Sequence, residues 1–249
     1  MPHYPRQAAE SQIYHVVARG NNQQDIFLDD RDFAKYRQYL LRVCSEHGLT
    51  LYAYCLMTNH VHLLIKEGDV ALGKSIGIVN GSYARYLNWK NETSGHVFQD
   101  RFFSAPVEDD RYFLAALRYI HRNPLKAAMT NSLSYPWSSY DEYIDHAICV
   151  DTEMALSILG SVEEFIALHE AEQDALPEIR EPGKKLTKLD AMHILLRCAG
   201  IAEVEELSEL STKEQAAALK KAHAYGVPVH WMKEMSGLSR RRLENLLSK

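Results

Sequence analysis

Apolar and polar residues follow two different periods in the first half of the chain, and the shorter period marks strands. A β-branched and aromatic run at 11–20 predicts the first strand, and the runs at 49–57 and 59–67 predict two more. A tight turn or bulge is expected between these two, at Thr58-Asn59. Residues 95–108 predict a fourth strand or a hairpin.

Helical spacing of apolar residues alternates with these strands. It predicts helices at 29–48, 70–91 and 109–123. The first begins at acidic residues that can cap it and should end at Gly48, and the third should end before Pro124. The resulting order, β-α-β-β-α-β-α, is close to the ferredoxin-like split βαβ pattern. We therefore expect an α+β fold with a ferredoxin-like sheet and helices on one side.

The run at 59–67 carries two histidines, His60 and His62, among apolar residues. Residues i and i+2 of a strand point to the same side, so the two imidazoles should project together. Two neutral imidazoles on one face can bind a divalent metal ion and leave positions for water or substrate. Two satisfied histidines at a sheet surface, or a structural zinc site completed from elsewhere, are the alternatives.

Charge and composition divide the rest of the chain. Residues 147–179 carry acidic side chains and no Lys or Arg, whereas residues 180–249 carry more basic than acidic side chains. Two prolines and a glycine at 176–185 predict a linker. We therefore expect a main domain at 1–146, an acidic helical connector at 147–179 and a small all-α domain at 180–249.

The end of the chain has the spacing of a helix-turn-helix. Pro228 can open one helix, Ser236-Gly237-Leu238 can form the turn, and Ser239 can cap the next helix. Three consecutive arginines then lie at the start of the last helix: Arg240, Arg241 and Arg242. This pattern predicts a basic recognition helix in the major groove of DNA. An ordinary αα-hairpin in a helical cap is the alternative.

Composition excludes some classes of protein. No apolar run approaches the roughly 20 residues of a membrane helix, and the start of the chain lacks the apolar core of a secretory signal. The four cysteines are scattered, which argues against a disulfide scaffold and a zinc knuckle. We expect a cytoplasmic protein with no membrane partner.

A candidate nucleophile lies on the helix at 109–123, which supplies Tyr112 and Tyr119. Asn123 follows Tyr119 by four residues, so both side chains can lie on one face of the helix. Arg118 and Arg122 flank this turn and could meet phosphates.

At this point the sequence resembles a known family. The segment "NHVHLLI" resembles the HUH motif of the HUH nucleases, and three further segments occur in the family's order: "YHVVARGNNQQDIF", "VFQDRFFS" and "YIHRNPLKA". Together they are similar to the single-tyrosine HUH transposases, and most of all to the REP-associated tyrosine transposases, over about residues 10–145. The chain departs from the family pattern at Asp100, where a glycine is expected, and at Phe103, where a basic or polar residue is common.

The resemblance implies a function. It implies metal-dependent cleavage and rejoining of single-stranded DNA next to a hairpin, through a 5′-phosphotyrosine. By this likeness His60, His62 and Asn123 bind Mg²⁺ or Mn²⁺, and Tyr119 is the nucleophile. The expected partner is DNA, as single-stranded hairpin ends with or without flanking duplex, bound by a monomer or a dimer. The likeness also implies a bacterial protein that is associated with the nucleoid when bound to DNA. A non-catalytic hairpin-binding regulator with the same fold is the alternative.

Several basic residues are candidate DNA contacts, and Trp89 is a candidate for stacking on unpaired bases. They are Arg19, Lys74, Arg85, Arg101, Arg118, Arg122, Arg240, Arg241 and Arg242.

Overall fold

The computed structural model describes residues 9–171, 188–201, 203–224 and 227–247. The chain divides into two compact units, residues 1–179 and 180–249. The predicted linker at 176–185 lies outside the described residues.

Four antiparallel strands form the sheet of the first unit, in the spatial order β2-β3-β1-β4. They are β1 (Ile13–Arg19), β2 (Thr50–Met57), β3 (His60–Lys66) and β4 (Phe103–Pro106). Met57 pairs with His60, so β2 and β3 form a hairpin closed by the turn at Thr58-Asn59. This is the strand order of the ferredoxin-like fold expected from the sequence.

Helices cover both faces of this sheet. They are α1 (Asp30–His47), α2 (Leu72–Lys90) and α3 (Asp110–Lys126). The crossover helices α1 and α2 pack together, and Arg37 of α1 meets Tyr54 of β2 on one face. On the opposite face Tyr119 of α3 meets His62 of β3. The α+β, ferredoxin-like fold is confirmed, and α3 adds a helix on the side opposite α1 and α2.

The ends of α1 follow from its sequence. The side chain of Asp29 accepts hydrogen bonds from the backbone N–H groups of Arg31 and Asp32, which satisfies two donors of the first turn. Gly48 ends the helix with a left-handed φ of 67°, a conformation that a side chain would strain. Between α1 and α2 the buried rings of Tyr36 and Tyr83 pack edge to face, 5.2 Å apart.

Helix α3 does not end where the sequence predicts. Pro124 lies inside it, and the helix continues to Lys126. Proline removes one backbone donor, but the next turn still closes through the Ala127 N–H, which donates to the Asn123 carbonyl. The side-chain amide of Asn123 donates to the Tyr119 carbonyl at 2.9 Å. The prediction that Pro124 stops the helix is wrong, because the proline comes so near the end that few bonds depend on it.

The fourth strand is shorter than the run at 95–108 suggests. Only Phe103–Pro106 pairs as β4, with an isolated bridge between Gly20 and Phe98 before it. The backbone on either side of Phe98 instead anchors the end of β1 and the loop after it: the Asn21 N–H donates to the Val97 carbonyl at 2.9 Å, and the Gln99 N–H donates to the Arg19 carbonyl at 2.9 Å. These bonds fix the loop next to the end of the sheet where His60 lies.

The acidic stretch is helical where it is described, as α4 (Glu153–Leu159) and α5 (Val162–Glu170). Phe165 and His169 of α5 are fully buried, and α5 packs against α3. Residues 147–171 are therefore an integral layer of the first unit, which is a closer association than the predicted connector implies. The acidic residues of α5 reflect its solvent-exposed side, where Glu163 and Glu164 lie.

The second unit is helical throughout its regular elements, as the sequence predicts. Its α-helices are α6 (Lys188–Ala199), α7 (Thr212–Ala224), α8 (Val229–Ser236) and α9 (Arg240–Leu247). They enclose a small apolar core to which every one of these helices contributes: Ala191, Leu195, Leu207, Leu219, Ala222, Val227, Met232 and Leu243.

Candidate active site

One face of the sheet brings three histidines together. Residues directly opposite each other in an antiparallel pair point to the same face, and His60 lies opposite Arg19 while His62 lies opposite Val17. His15 shares that face because it lies two residues before Val17 on β1. The His60 and His62 rings are 4.8 Å apart, and His15 Nε2 lies 3.1 Å from His62 Nδ1. The predicted pair is thus part of a cluster.

Helix α3 places Tyr119 against this cluster. The Tyr119 ring meets the rings of His62 and His15 edge to face, at centroid distances of 5.5 Å and 5.7 Å. Tyr119 is buried, and Lys126 Nζ lies 4.9 Å from its ring centroid. Asn123 is buried one turn further along α3, and its amide nitrogen is held by the Tyr119 carbonyl. The predicted nucleophile and histidines therefore meet in one place.

Hydrogen bonds occupy the same nitrogen of His60 and of His62. His60 Nδ1 lies 2.6 Å from the side-chain oxygen of Asn59, and His62 Nδ1 lies 3.1 Å from His15 Nε2. Among the described residues no protein group hydrogen-bonds to Nε2 of either ring. The Nε2 atoms are therefore the nitrogens that an incoming ligand can reach.

All three imidazoles are neutral at physiological pH. Burial lowers the pKa of His15 to about 4. Burial, with the positive charge of Arg19, lowers the pKa of His60 to about 4. Burial and the neighbouring His60, His15 and Arg19 charges hold the pKa of His62 well below its ordinary value. A neutral ring retains the lone pair that a metal ion needs.

Comparison with known proteins matches this region to one family. A family model of IS200-like transposases matches residues 8–123, a span that holds the histidine cluster, Tyr119 and Asn123. Residues 8–123 are therefore similar to the IS200-like transposases. The resemblance inferred from the sequence is confirmed.

Individual relatives of this region are distant in sequence. A curated protein of Haemophilus influenzae, named as a candidate REP-associated tyrosine transposase, is 22% identical over 152 residues, which is 56% of this chain and 86% of that protein. The solved structure of a REP-associated tyrosine transposase bound to a REP hairpin superposes with a TM-score of 0.51 at 14% identity, covering 73% of this chain and 100% of that one. A candidate transposase from Deinococcus radiodurans gives a TM-score of 0.35 at 17% identity, over 49% and 97% of the two chains. None of the described helices has the length and apolar character needed to span a membrane.

The donor atoms of the candidate site suit a hard or borderline divalent ion. His60 and His62 offer Nε2, and Asn123 offers its amide oxygen, because its amide nitrogen already donates to Tyr119. Within the described part of the chain, no three His, Cys, Asp or Glu side chains converge as a ready metal site. A structural zinc site would need such a third nitrogen or sulfur ligand. Two imidazoles, an amide oxygen and substrate or water oxygens instead fit Mg²⁺ or Mn²⁺.

Three of the predicted DNA contacts lie at the same end of the sheet as His60. Arg19 is opposite His60 in the register, and its Nε is buried without a hydrogen-bond partner among the residues that the structure describes. Arg101 is exposed between Phe98, which bridges Gly20, and the first residue of β4.

Arg85 reaches this end through α2. The Tyr83 hydroxyl donates to the Ile26 carbonyl, and the Ile26 N–H donates to the Thr58 carbonyl of the β2–β3 turn. The C-terminal half of α2 thus lies beside the turn that precedes His60. Arg85 is exposed there, and Trp89 is 78% exposed one turn further on.

Lys74 does not belong with this group. The neighbouring Ser75 hydroxyl lies 2.8 Å from His47 Nδ1 at the end of α1, which leads into Thr50. Thr50 pairs with Lys66, six residues along β3 from His60. At about 3.3 Å per strand residue, Lys74 lies on the order of 20 Å from the histidines. Any contact of Lys74 with DNA would therefore lie away from the histidines.

Arg118 and Arg122 are also placed differently from the prediction. Arg118 is buried, and its guanidinium donates to the carbonyls of Leu168 and Ala171. Arg122 donates to the His169 carbonyl. Both side chains thus hold the C-terminal end of α5 against α3, because a helix leaves its last carbonyls unsatisfied. Spacing alone could not show this, since α5 lies far away in sequence.

Two residues of the site were not predicted. His15 lies within a quoted motif, and Asn59 immediately precedes His60, yet neither was assigned a role. The signal for His15 was the same as for His62, an imidazole inside an apolar strand. Strand pairing between β1 and β3 was needed to bring the two rings together.

Proposed function

We propose that the first unit cleaves and rejoins single-stranded DNA next to hairpins, with Tyr119 as nucleophile and Mg²⁺ or Mn²⁺ as cofactor. The observation that carries this proposal is the edge-on contact of Tyr119 with His62, in a cluster where Nε2 of His60 and Nε2 of His62 have no hydrogen-bond partner among the described residues. A structural cluster would have no need of a tyrosine beside two unused imidazole nitrogens. The DNA hairpin held by the structural relative supports the choice of substrate.

The chemistry is a transesterification. The Tyr119 oxygen attacks the scissile phosphorus and loses its proton to solvent, the bond from phosphorus to the 3′-oxygen breaks, and that oxygen takes up a proton. The products are a 5′-phosphotyrosine and a free 3′-hydroxyl, which can attack in reverse and rejoin the strand. His60, His62 and Asn123 would hold the cofactor, which supplies positive charge to offset that of the phosphate.

Positive charge for the DNA backbone comes from the end of the sheet nearest His60. Arg19, Arg85 and Arg101 lie there, and Trp89 offers an exposed ring on which an unpaired base can stack. We assign single-stranded DNA beside the hairpin to this end. The proposed interface excludes Lys74, which lies far from the histidines, and it excludes Arg118 and Arg122, which bind carbonyls of α5 and the residue after it.

The decisive experiment is capture of the covalent intermediate. The full chain is incubated with single-stranded hairpin oligonucleotides and Mn²⁺, and a protein–DNA adduct is sought on a denaturing gel. Wild type should form the adduct, and Tyr119→Phe should form none while still binding the hairpin, since only one oxygen is removed. Tyr112→Phe is the matched control, because Tyr112 is a second buried tyrosine of α3.

Each alternative has a distinct outcome in the same assay. Hairpin binding without any adduct in wild type would favour a non-catalytic regulator. An adduct in Tyr119→Phe would assign the nucleophile to another tyrosine. Adduct formation that continues in excess chelator would remove the metal ion from the proposal, and one zinc ion per chain that survives chelation would favour a structural site.

We propose further that the second unit binds duplex DNA flanking the hairpin. Helix α8 ends at Gly237, whose φ is 67°, and the Ser239 hydroxyl accepts from the Arg242 N–H at the start of α9. The three arginines are exposed while Leu243 is buried in the core of the unit. A basic helix start presented in this way suits phosphate and base contacts in the major groove.

A further inference from the structure

Both candidate metal ligands use Nδ1 in a hydrogen bond, and a different neighbour supplies the partner in each case. We propose that His15 and Asn59 are positioning residues that fix which nitrogen of His62 and of His60 faces the metal ion. The inference rests on the proposed metal-dependent function. It concerns the hydrogen-bonded partners of the ligands, which determine ring orientation and tautomer.

The side-chain amide of Asn59 determines which nitrogen of His60 carries the proton. The Asn59 amide nitrogen donates to the Gln23 carbonyl at 3.3 Å, so the amide oxygen must be the atom that faces the imidazole. That oxygen can only accept, so His60 Nδ1 carries the proton and Nε2 keeps its lone pair. The ring of His60 is thereby coupled to the loop after β1.

The case of His62 depends on His15. The two rings are 5.4 Å apart and 13° from parallel, and His15 is fully buried. A ligand nitrogen at His62 Nε2 requires the proton on Nδ1, which then donates to His15 Nε2. The remaining proton of His15 must sit on its own Nδ1.

The Nδ1 atom of His15 distinguishes a positioning role of this residue from a purely structural role. His15 Nδ1 is buried and has no hydrogen-bond partner among the described residues. A buried unsatisfied nitrogen destabilises a fold, so His15 is a poor choice for stability alone. Replacing it with a leucine should therefore weaken metal binding without a matching loss of stability.

The test measures Mn²⁺ binding to the full chain without DNA, from the electron paramagnetic resonance signal of free Mn²⁺. His15→Leu should weaken binding roughly ten- to hundredfold. His15→Gln should recover most of that loss, because its amide oxygen can accept from His62 Nδ1. His169→Leu is the matched control: His169 is equally buried and also bonded to an imidazole, but lies on α5, and Mn²⁺ binding should be unchanged. Asn59→Leu should weaken binding as His15→Leu does, and Asn59→Asp should not.

A second readout is the ¹⁵N spectrum of the imidazoles in the Mg²⁺-loaded protein. Wild type should show protonated Nδ1 in both His62 and His60, and a coupling across the hydrogen bond from His62 to His15. In His15→Leu the His62 tautomers should become mixed. Thermal unfolding of the same variants should show that His15→Leu is no less stable than His169→Leu.

The outcomes separate this inference from the proposed function. Equal Mn²⁺ affinity in wild type and His15→Leu overturns the inference, and so does equal loss in His15→Leu and His15→Gln, which would make the imidazole itself a ligand. A wild type that binds no Mn²⁺ also overturns it. Binding that depends on His15 in a protein that forms no adduct would uphold the inference and refute the cleavage activity.

Discussion

The first unit contains two pairs of buried histidines with similar distances between their ring nitrogens, but the two pairs differ in how many of those nitrogens have a hydrogen-bond partner. His15 and His62 lie 3.1 Å apart on the sheet, and His121 and His169 lie 3.0 Å apart between α3 and α5. In the second pair every ring nitrogen has a partner, because His121 Nε2 meets the Ser139 hydroxyl and His169 Nδ1 donates to the Phe165 carbonyl. In the first pair Nε2 of His62 has no protein partner among the described residues, and neither has Nδ1 of His15.

This difference in hydrogen bonding distinguishes a pair with a structural role from a pair with a proposed functional role. Proteins satisfy the polar groups that they bury, so a saturated pair needs no further explanation than the packing of two helices. In the pair beside Tyr119, the proposed metal ion would use Nε2 of His62, the nitrogen that the protein leaves without a partner among the described residues. Burial and low pKa values are common to both pairs and therefore do not distinguish them.

The largest effects should come from removing one member of each pair. His62→Ala should lower adduct formation to the level of a chelated sample, because a proposed metal ligand is lost. His169→Ala should leave the adduct intact but cost about 3 kcal/mol of unfolding free energy, since it strands the His121 donor and leaves a cavity against Phe165. Urea unfolding and the adduct gel measure both quantities. A folded His169→Ala protein without adduct would place the second pair within the active site.

Acid should weaken the fold through the saturated pair. Burial lowers the pKa of His169 to about 4 and holds that of His121 well below its ordinary value. Between pH 6.5 and 4 the unfolded chain thus binds more protons than the folded chain, so stability is full above pH 6.5 and falls as pH decreases. A shift of this size corresponds to about 3 kcal/mol for His169.

The matching variant isolates this contribution. His169→Gln should be less stable than wild type near neutral pH but should lose less stability on acidification, because one titrating group is gone. Denaturant unfolding across the range measures the slope. A wild-type free energy of unfolding that stays constant from pH 6.5 to 5 would show that the pair remains accessible to protons.

The sequence predicted those parts of this picture that depend on local period. The strands around His60, the helix of Tyr119 and the caps of α1 follow from alternation, helical spacing and capping residues. His15 and the roles of Arg118 and Arg122 depend on strand register and on the packing of α5, which join residues distant in sequence. The connector at 147–179 was predicted from its charges, which describe only the outer face of α5, whereas Phe165 and His169 decide its packing.

The same contrast between satisfied and open groups applies to the arginines, with smaller effects. Arg118→Met should cost about 1.5–3 kcal/mol of stability, since it removes charge-assisted hydrogen bonds to the carbonyls of Leu168 and Ala171. It should leave the salt dependence of hairpin binding unchanged, because the buried guanidinium reaches no phosphate. A shallower salt dependence in a stable Arg118→Met protein would return this residue to the DNA interface.

The smallest effect on the fold, and the clearest on DNA, is expected in the second unit. Arg240 Nε is paired with Glu244 at 2.8 Å, so the test uses Arg241→Ala with Arg242→Ala in the full chain. Both side chains are exposed, and stability should stay within about 0.5 kcal/mol of wild type. If each arginine contacts one phosphate, the slope of log affinity against log salt on a hairpin with flanking duplex should fall by about 1.8.

The control variant removes the same number of positive charges from a different helix. Lys213→Ala with Lys221→Ala removes two exposed positive charges from α7. If DNA contacts the start of α9, only the arginine variant should change the slope of log affinity against log salt. Neither variant should change binding to a hairpin without flanking duplex. Equal changes in both would mean that diffuse positive charge, not a recognition helix, attracts DNA. If neither variant changes the slope, α8 and α9 are an ordinary αα-hairpin. Exposed arginines are fully solvated and need no bound ligand, in contrast to the unpartnered Nε2 atoms of His60 and His62 in the proposed metal site.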